Sequence, residues 1–268
     1  MTIKQRVLTA AVALPLLILL VLKGSFVLFS CFILVIALLG LDEFYRMALP
    51  ERKIEGKVAA LGGALMLLVF LSRNQGYILF VLTALVLLSF IIFLFRIRDI
   101  RQSAGEAAMF LMGILYVPVL LGHLVLLRGL PHGHHWILLL LVIVMAGDSG
   151  AYFIGRSYGK RKLYPIVSPN KSMEGAIGGV VGSILGAVIA RSTFFPELTG
   201  ADAVSTALLL GVTGQIGDLF ESMLKRSYGV KDSGVIVPGH GGILDRLDSI
   251  LFAAPAAYYY AVFIFMQR

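Results

Sequence analysis

The chain has 268 residues, 59% of them hydrophobic and only 14% charged, with a mean hydropathy of +0.92. Soluble domains are nearer half apolar and a quarter charged, so a water-soluble globule is excluded. The formal net charge of +8 is read as basic loops beside anionic lipid, not as a nucleic-acid surface.

In chain order, Lys4 and Arg6 precede the apolar run Val7–Leu22. That layout resembles a signal peptide, but no small-residue cleavage site follows and a second apolar run begins at once, so the segment reads as a retained helix. Hydrophobic runs predict helices at about 7–22, 25–41, 58–72, 77–95, 107–128, 136–155, 174–190, 203–224 and 243–265. Most approach the roughly 20 residues that span a bilayer. The first two are short, with Gly24 between them, which leaves open a hairpin that does not fully cross. Barrel strands would alternate apolar and polar residues over about 10 positions, and no such pattern occurs. The expected fold class is therefore all-α, a polytopic membrane protein of about nine transmembrane helices. The single Cys31 permits neither an intrachain disulfide nor a thiolate metal site.

With the amino terminus inside, alternating helices place eighteen Lys and Arg on the inner side and five (Lys23, Arg73, Arg128, Arg191 and Arg268) on the outer side. This bias predicts which face is cytosolic. It puts the loop at 156–174 and the polar stretch at 222–248 on the same, cytosolic, side. His132, His134 and His135 fall in an outer loop and are read as solvated rather than metal-binding. Tyr258–Tyr260 are expected in an interfacial belt near the outer end of the last helix.

Residues 1–140 read as scaffold and residues 141–268 as the catalytic region. Asp148, Glu174, Asp218, Glu221, Asp245 and Asp248 all lie in or beside apolar stretches of the second region. An Asp at the centre of a spanning helix costs about 2.5–3.5 kcal/mol on insertion scales, so such acids are functional by default. Asp245 and Asp248, and likewise Asp218 and Glu221, share a helix face at a spacing of three. Several carboxylates near one another need cations, and hard oxygen donors beside phosphates favour Mg²⁺. The alternative is a buried ion pair of Asp245 with Arg246 or Lys225.

Pro238-Gly239-His240-Gly241-Gly242 precedes the last helix, whose N-terminus and loop N–H groups are expected to face an anion. Glycine allows close backbone approach and positive φ there. Lys225, Arg226, Lys231 and Arg246 are bases suited to phosphates, and His240 is open to three readings: hydrogen-bonding a phosphate, orienting a carboxylate or capping the helix. Upstream, Ser168, Lys171 and Ser172 at a helix start also suit a phosphate, and Asp148 is a further candidate ligand. Glycines 178, 182 and 186, and 211, 214 and 217, form small-residue faces for close helix contact, within one chain or across a homodimer.

The pattern Ser222-x-Leu224-Lys225-Arg226-x4-Lys231-Asp232-x-Gly234, then Pro238-x-His240-Gly241-Gly242-x2-Asp245-Arg246-x-Asp248, resembles the signature of the phosphatidate cytidylyltransferase, or CDP-diacylglycerol synthase, family. The resemblance continues through Gly147-Asp148-Ser149-Gly150-Ala151-Tyr152 and Ser168-Pro169-Asn170-Lys171-Ser172. It covers the carboxyl half well and the amino half only as a run of membrane helices. Val237 stands where that family usually has Leu, Ile or Phe.

The resemblance implies an enzyme of the bacterial cytoplasmic membrane that converts CTP and phosphatidic acid to CDP-diacylglycerol and pyrophosphate. It further implies Mg²⁺ and, in some members, a monovalent cation such as K⁺. On this reading Asp218, Asp245 and Asp248 bind metal. Lys225, Arg226, Lys231, Asp232, His240 and Arg246 act on the phosphates and the reacting centre. Ser168, Lys171, Ser172, Gly239, Gly241 and Gly242 hold substrate. The alternatives are a CTP-dependent polyprenol kinase, which would release CDP, and an ion-coupled transporter, whose acids would sit near mid-membrane.

Overall fold

Apolar side chains that must leave water, with backbone groups that must bond internally, make helices the economical solution throughout this chain. The computed structural model describes residues 3–236 and 241–268, with side chains from residue 11 onward. Among them are nine long helices: α1 Ile3–Lys23, α2 Phe26–Ala48, α3 Lys53–Ser72, α4 Gln75–Phe95, α5 Ile100–Arg128, α6 Gly133–Tyr158, α7 Met173–Thr193, α8 Gly200–Ser227 and α9 Leu244–Phe263. Eight, α2 to α9, are long and apolar enough to cross a membrane, and α1 adds the shorter apolar stretch Ala11–Lys23. The protein is an integral membrane protein.

Several helices outrun their apolar runs. The second extends to Ala48 through Asp42, Glu43 and Arg46, and the third begins at Lys53 rather than 58. Charged side chains continue a helix readily once its backbone ladder is started, so hydrophobicity marks the buried part and not the end.

One correction to the all-helical expectation is a small antiparallel hairpin between α6 and α7. Strand β1, Lys162–Tyr164, pairs irregularly with β2, Ser168–Ser172. Pairing satisfies backbone groups of a loop that has no helix to join. Ser172 then caps α7, its Oγ accepting from Gly175 N at 3.1 Å.

The glycine faces are used inside the chain. A side chain added at Gly150 would overlap the Gly178 carbonyl oxygen, and one at Gly182 the Ala146 carbonyl oxygen. Backbone against backbone fixes α6 on α7, the close approach that small residues permit where lipid offers no hydrophobic drive. Gly217 is pressed in the same way against the Asp248 carbonyl oxygen, which brings α8 to α9. Replacing Gly182 with Val is therefore expected to destabilise the fold by about 1–3 kcal/mol. Thermal unfolding in detergent checks this; an unchanged midpoint would refute the tight contact.

Inside α5 the residues Leu115–Val119 form a π-helical turn containing Tyr116 and Pro118. Proline lacks an N–H and clashes with the preceding turn, and a wide turn accommodates it. Tyr116 projects from this turn against Phe220 of α8 and Phe252 of α9, at ring-centroid distances of 5.4 and 6.4 Å.

The two ends of the bundle differ in how they use charge. At the sparsely basic end, arginines serve as ties. Arg73 Nη1 donates to Gly129 O at 2.9 Å, Arg128 Nη2 to Gly24 O at 3.1 Å and Arg191 Nε to Leu198 O at 2.9 Å. Arg268 Nη1 pairs with the buried Asp202 at 2.8 Å, and Asp202 also accepts from Tyr260 Oη at 2.7 Å. At the other end Arg52, only 2% exposed, forms a fork with Glu106 at 3.1 and 2.5 Å and bonds Glu55 at 3.3 Å. Its bond to Glu106 raises the guanidinium pKa above its ordinary value, so it stays charged while joining α3 to α5.

Candidate active site

Three elements meet at the hairpin end of the bundle: α6, the β1–β2 hairpin, and the α8–α9 pair with its connecting loop. Asp148 of α6 and Asp218 of α8 line a cavity of about 530 Å³ together with Ser168, Asn170, Lys171 and Ser172. Lys171 reaches from β2 to Asp218, Nζ to Oδ2 2.5 Å. Asp248, on the second turn of α9, is close enough to feel the charges of both Asp218 and Asp148, and Asp148 feels that of Arg246. Helix periodicity explains the convergence. Asp218 sits next to Gly217, whose missing side chain lets α9 approach, and Asp248 lies directly at that contact.

Asp245 does something different. Its Oδ1 accepts from Lys225 Nζ at 2.5 Å. Its Oδ2 accepts from Ser233 N at 2.9 Å, Ser233 Oγ at 3.1 Å and Gly242 N at 2.8 Å. Lys225 is completed by Glu221 at 2.9 Å. The ion pair of Asp245 with Lys225, one of the two readings of the sequence, is thus present. Asp245 braces the loop, whereas Asp248, on the same helix face, accepts only from Ser249 N among the described residues.

The amino half supplies a residue that sequence reasoning missed. Glu43 of α2 is 3% exposed, and its carboxylate accepts from Ser233 Oγ at 3.0 Å, Ile243 N at 2.9 Å and Leu244 N at 3.0 Å. These include the first free N–H groups of α9, which a carboxylate satisfies well. The expected phosphate cradle is therefore filled by protein acids: Gly242 N–H goes to Asp245, and Ile243 and Leu244 N–H go to Glu43. The glycines have the matching explanation. A side chain at Gly234 or Gly242 would overlap Glu43, and Gly241 adopts φ +84° with Asp245 Oδ2 2.6 Å from where its Cβ would be. The acidic pair Asp42-Glu43 directly after an apolar run was the available signal.

Among the remaining sequence candidates, Ser168 and Lys171 line the cavity, and Ser172 lines it while capping α7. Arg226 turns back to hold the loop, Nη1 to Val230 O 3.1 Å. Lys231, Asp232 and Arg246 are exposed around it. Gly239 and His240 lie outside the described residues.

The chemistry of these acids is that of a hard divalent cation, although no three of them bring ligand atoms within 4.8 Å of one another among the described residues. Asp148, Asp218, Glu221, Asp245 and Asp248 lie in this region, with Arg156, Lys171, Lys225 and Arg246 among the described bases near them. Glu221 Oε1 and Tyr116 Oη are buried and have no hydrogen-bond partner among the described residues. Excess carboxylate oxygen, with no soft ligand, suits Mg²⁺.

A helical membrane protein whose one basic end encloses clustered acids, lysines and a cavity belongs to the class of integral-membrane enzymes that work on phosphate groups. The sequence profile of the cytidylyltransferase family matches residues 4–264. The phosphatidate cytidylyltransferase of Staphylococcus aureus is 38% identical over 262 residues, which cover 94% of this chain and 96% of that protein. The enzymes of the same name from Staphylococcus saprophyticus and Staphylococcus epidermidis are each 37% identical over 256 residues, with the same coverage. The chain belongs to the cytidylyltransferase family and is a nucleotidyltransferase.

Proposed function

We propose that the protein is a phosphatidate cytidylyltransferase of the bacterial inner membrane, with its site facing the cytosol. A phosphate oxygen of phosphatidate forms a bond to the α-phosphorus of CTP. The bond from that phosphorus to the β-phosphate oxygen breaks, and pyrophosphate leaves. The nucleophile is already anionic near neutral pH, so no side-chain base is needed to create it. The protein must hold two polyanions together and offset their charge.

One observation carries this reading: a cavity bearing Lys171, Asp218 and Asp148 at the basic end of an apolar bundle. A dissolved nucleotide and a lipid headgroup can both reach such a place. The excess of Lys and Arg at this end supports the cytosolic assignment.

Asp218 and Asp248, with Asp148, would hold Mg²⁺, which neutralises phosphate charge when bound. Lys171 and Ser168 meet phosphate oxygens inside the cavity, which Arg156 also lines, and Arg246, Lys231 and Arg226 add positive charge on α9, the loop and the end of α8. Lys225 and Asp245 lock α8 to α9. Glu43 holds the loop against α2.

Purified protein supplied with CTP, phosphatidate and Mg²⁺ should form CDP-diacylglycerol and pyrophosphate in equal amounts, and EDTA should abolish both. Release of CDP with a phosphorylated lipid would instead assign a kinase. Ion flux without turnover in proteoliposomes would assign a transporter.

A further inference from the structure

The opposite end of α6 carries a set of ligating side chains that the proposed reaction does not use. His132 precedes the helix, His135 lies in its first turn, and Glu197 belongs to the link between α7 and α8. One ligand atom from each lies within 4.8 Å of the other two, the only such group of His, Cys, Asp and Glu among the described residues. His132 Nδ1 is 3.6 Å from Glu197 Oε1.

Sequence reading took these histidines as solvated, but His135 is not. Its ring packs on Phe194 and Phe195, with centroids 6.2 and 5.3 Å away. Its Nδ1 is buried with no hydrogen-bond partner among the described residues. A buried polar nitrogen without a partner is uncommon and calls for an explanation. His132 has a left-handed backbone, φ 56°, a conformation that costs energy in a non-glycine residue and recurs at functional positions. Two imidazoles and one carboxylate from two separate elements thus face one point.

We propose that His132, His135 and Glu197 bind a single divalent cation of the zinc class, with water completing the coordination. The donors decide the metal: imidazole favours zinc over Mg²⁺, and two His with one Glu form a familiar three-ligand set. Tetrahedral bonds of about 2.0–2.1 Å put ligand atoms about 3.3 Å apart. The His132–Glu197 pair is already close to that spacing, and both side chains are exposed and able to turn. Asp148 lies four turns further along α6, roughly 20 Å away at 1.5 Å per residue, so the site is separate from the acid cavity. A bound ion would tie the start of α6 to the link that sets where α7 and α8 turn.

The test uses the full chain in detergent, without a histidine tag, stripped by chelator and titrated with Zn²⁺ against a chromophoric competitor. One zinc per chain is expected, together with a zinc-dependent rise in melting temperature that Mg²⁺ does not reproduce. Loss of an outer-shell partner alone costs about 10–100-fold in metal affinity, so removing a ligand should cost at least that much. H135A and E197Q should each show this loss, while H134A binds as wild type. Glu197 lies on an exposed link, so E197Q keeps the test open if H135A folds poorly. No zinc bound by the wild type, or undiminished binding by E197Q, would overturn the proposal. Neither result bears on the cytidylyl transfer.

Discussion

Replacing Asp248 with Asn is expected to lower CDP-diacylglycerol formation by about a hundredfold to a thousandfold, with the fold intact. The side chain keeps its shape and loses one charge next to Asp218 and Asp148. Its hydrogen bond from the described residues is local, from Ser249 N at 2.7 Å, so little of the tertiary structure depends on it. A preorganised polar or charged group at a reacting centre contributes about 10²–10³ in rate. Initial rates across a Mg²⁺ titration, beside a melting curve, are the measurement. Near wild-type turnover would remove Asp248 from the site. Asp245→Asn should behave differently, losing stability as well as activity. It places an amide where Ser233 and Gly242 donate, and it weakens the bond to Lys225.

Glu43→Ala should cost about 3 kcal/mol or more and most of the turnover, although Glu43 lies on α2, far in sequence from the acid cluster. Three donors (Ser233 Oγ, Ile243 N and Leu244 N) lose their acceptor. A hydrogen bond to a charged group contributes about 1.5–3 kcal/mol, and stranding a buried donor adds its own desolvation cost. Limited proteolysis around residues 233–243 would report the freed loop, and thermal unfolding the energy. Glu43→Gln retains one acceptor oxygen and should fall between. If Glu43→Ala left both the loop's resistance and the turnover unchanged, the brace would have no functional weight.

These two residues show what the sequence reveals and what it hides. The helices, the small-residue contacts of Gly178 and Gly182, and the polar stretch at 222–248 are legible because each rests on local composition or a fixed spacing. Asp248 is legible in the same way, as a costly charge in an apolar segment. Glu43 carries the identical signal, but its partners are about 200 positions away, and no periodicity names a partner. The loop glycines were read as places where the backbone closes on a phosphate. What approaches Gly234 and Gly242 is the Glu43 carboxylate of α2, and what approaches Gly241 is Asp245 of α9, contacts that only tertiary structure reveals. The hairpin at 162–172 lacks alternation and sits among charges and prolines, so it reads as plain loop. The histidine group stayed hidden because its third member, Glu197, arrives from a different link.

The wide turn at Leu115–Val119 has a bearing on how the protein tolerates change in length. It lets Phe110 and Gly113 face α2 before it and His123 face α9 after it. Each residue of an α-helix advances the azimuth by about 100°. Deleting one residue here would swing either the leading or the trailing stripe out of phase with its neighbour. Tyr116, wedged between the helices that carry Asp218 and Asp248, would swing with it. An insertion or deletion at this turn would therefore be felt by the acids as a change of register.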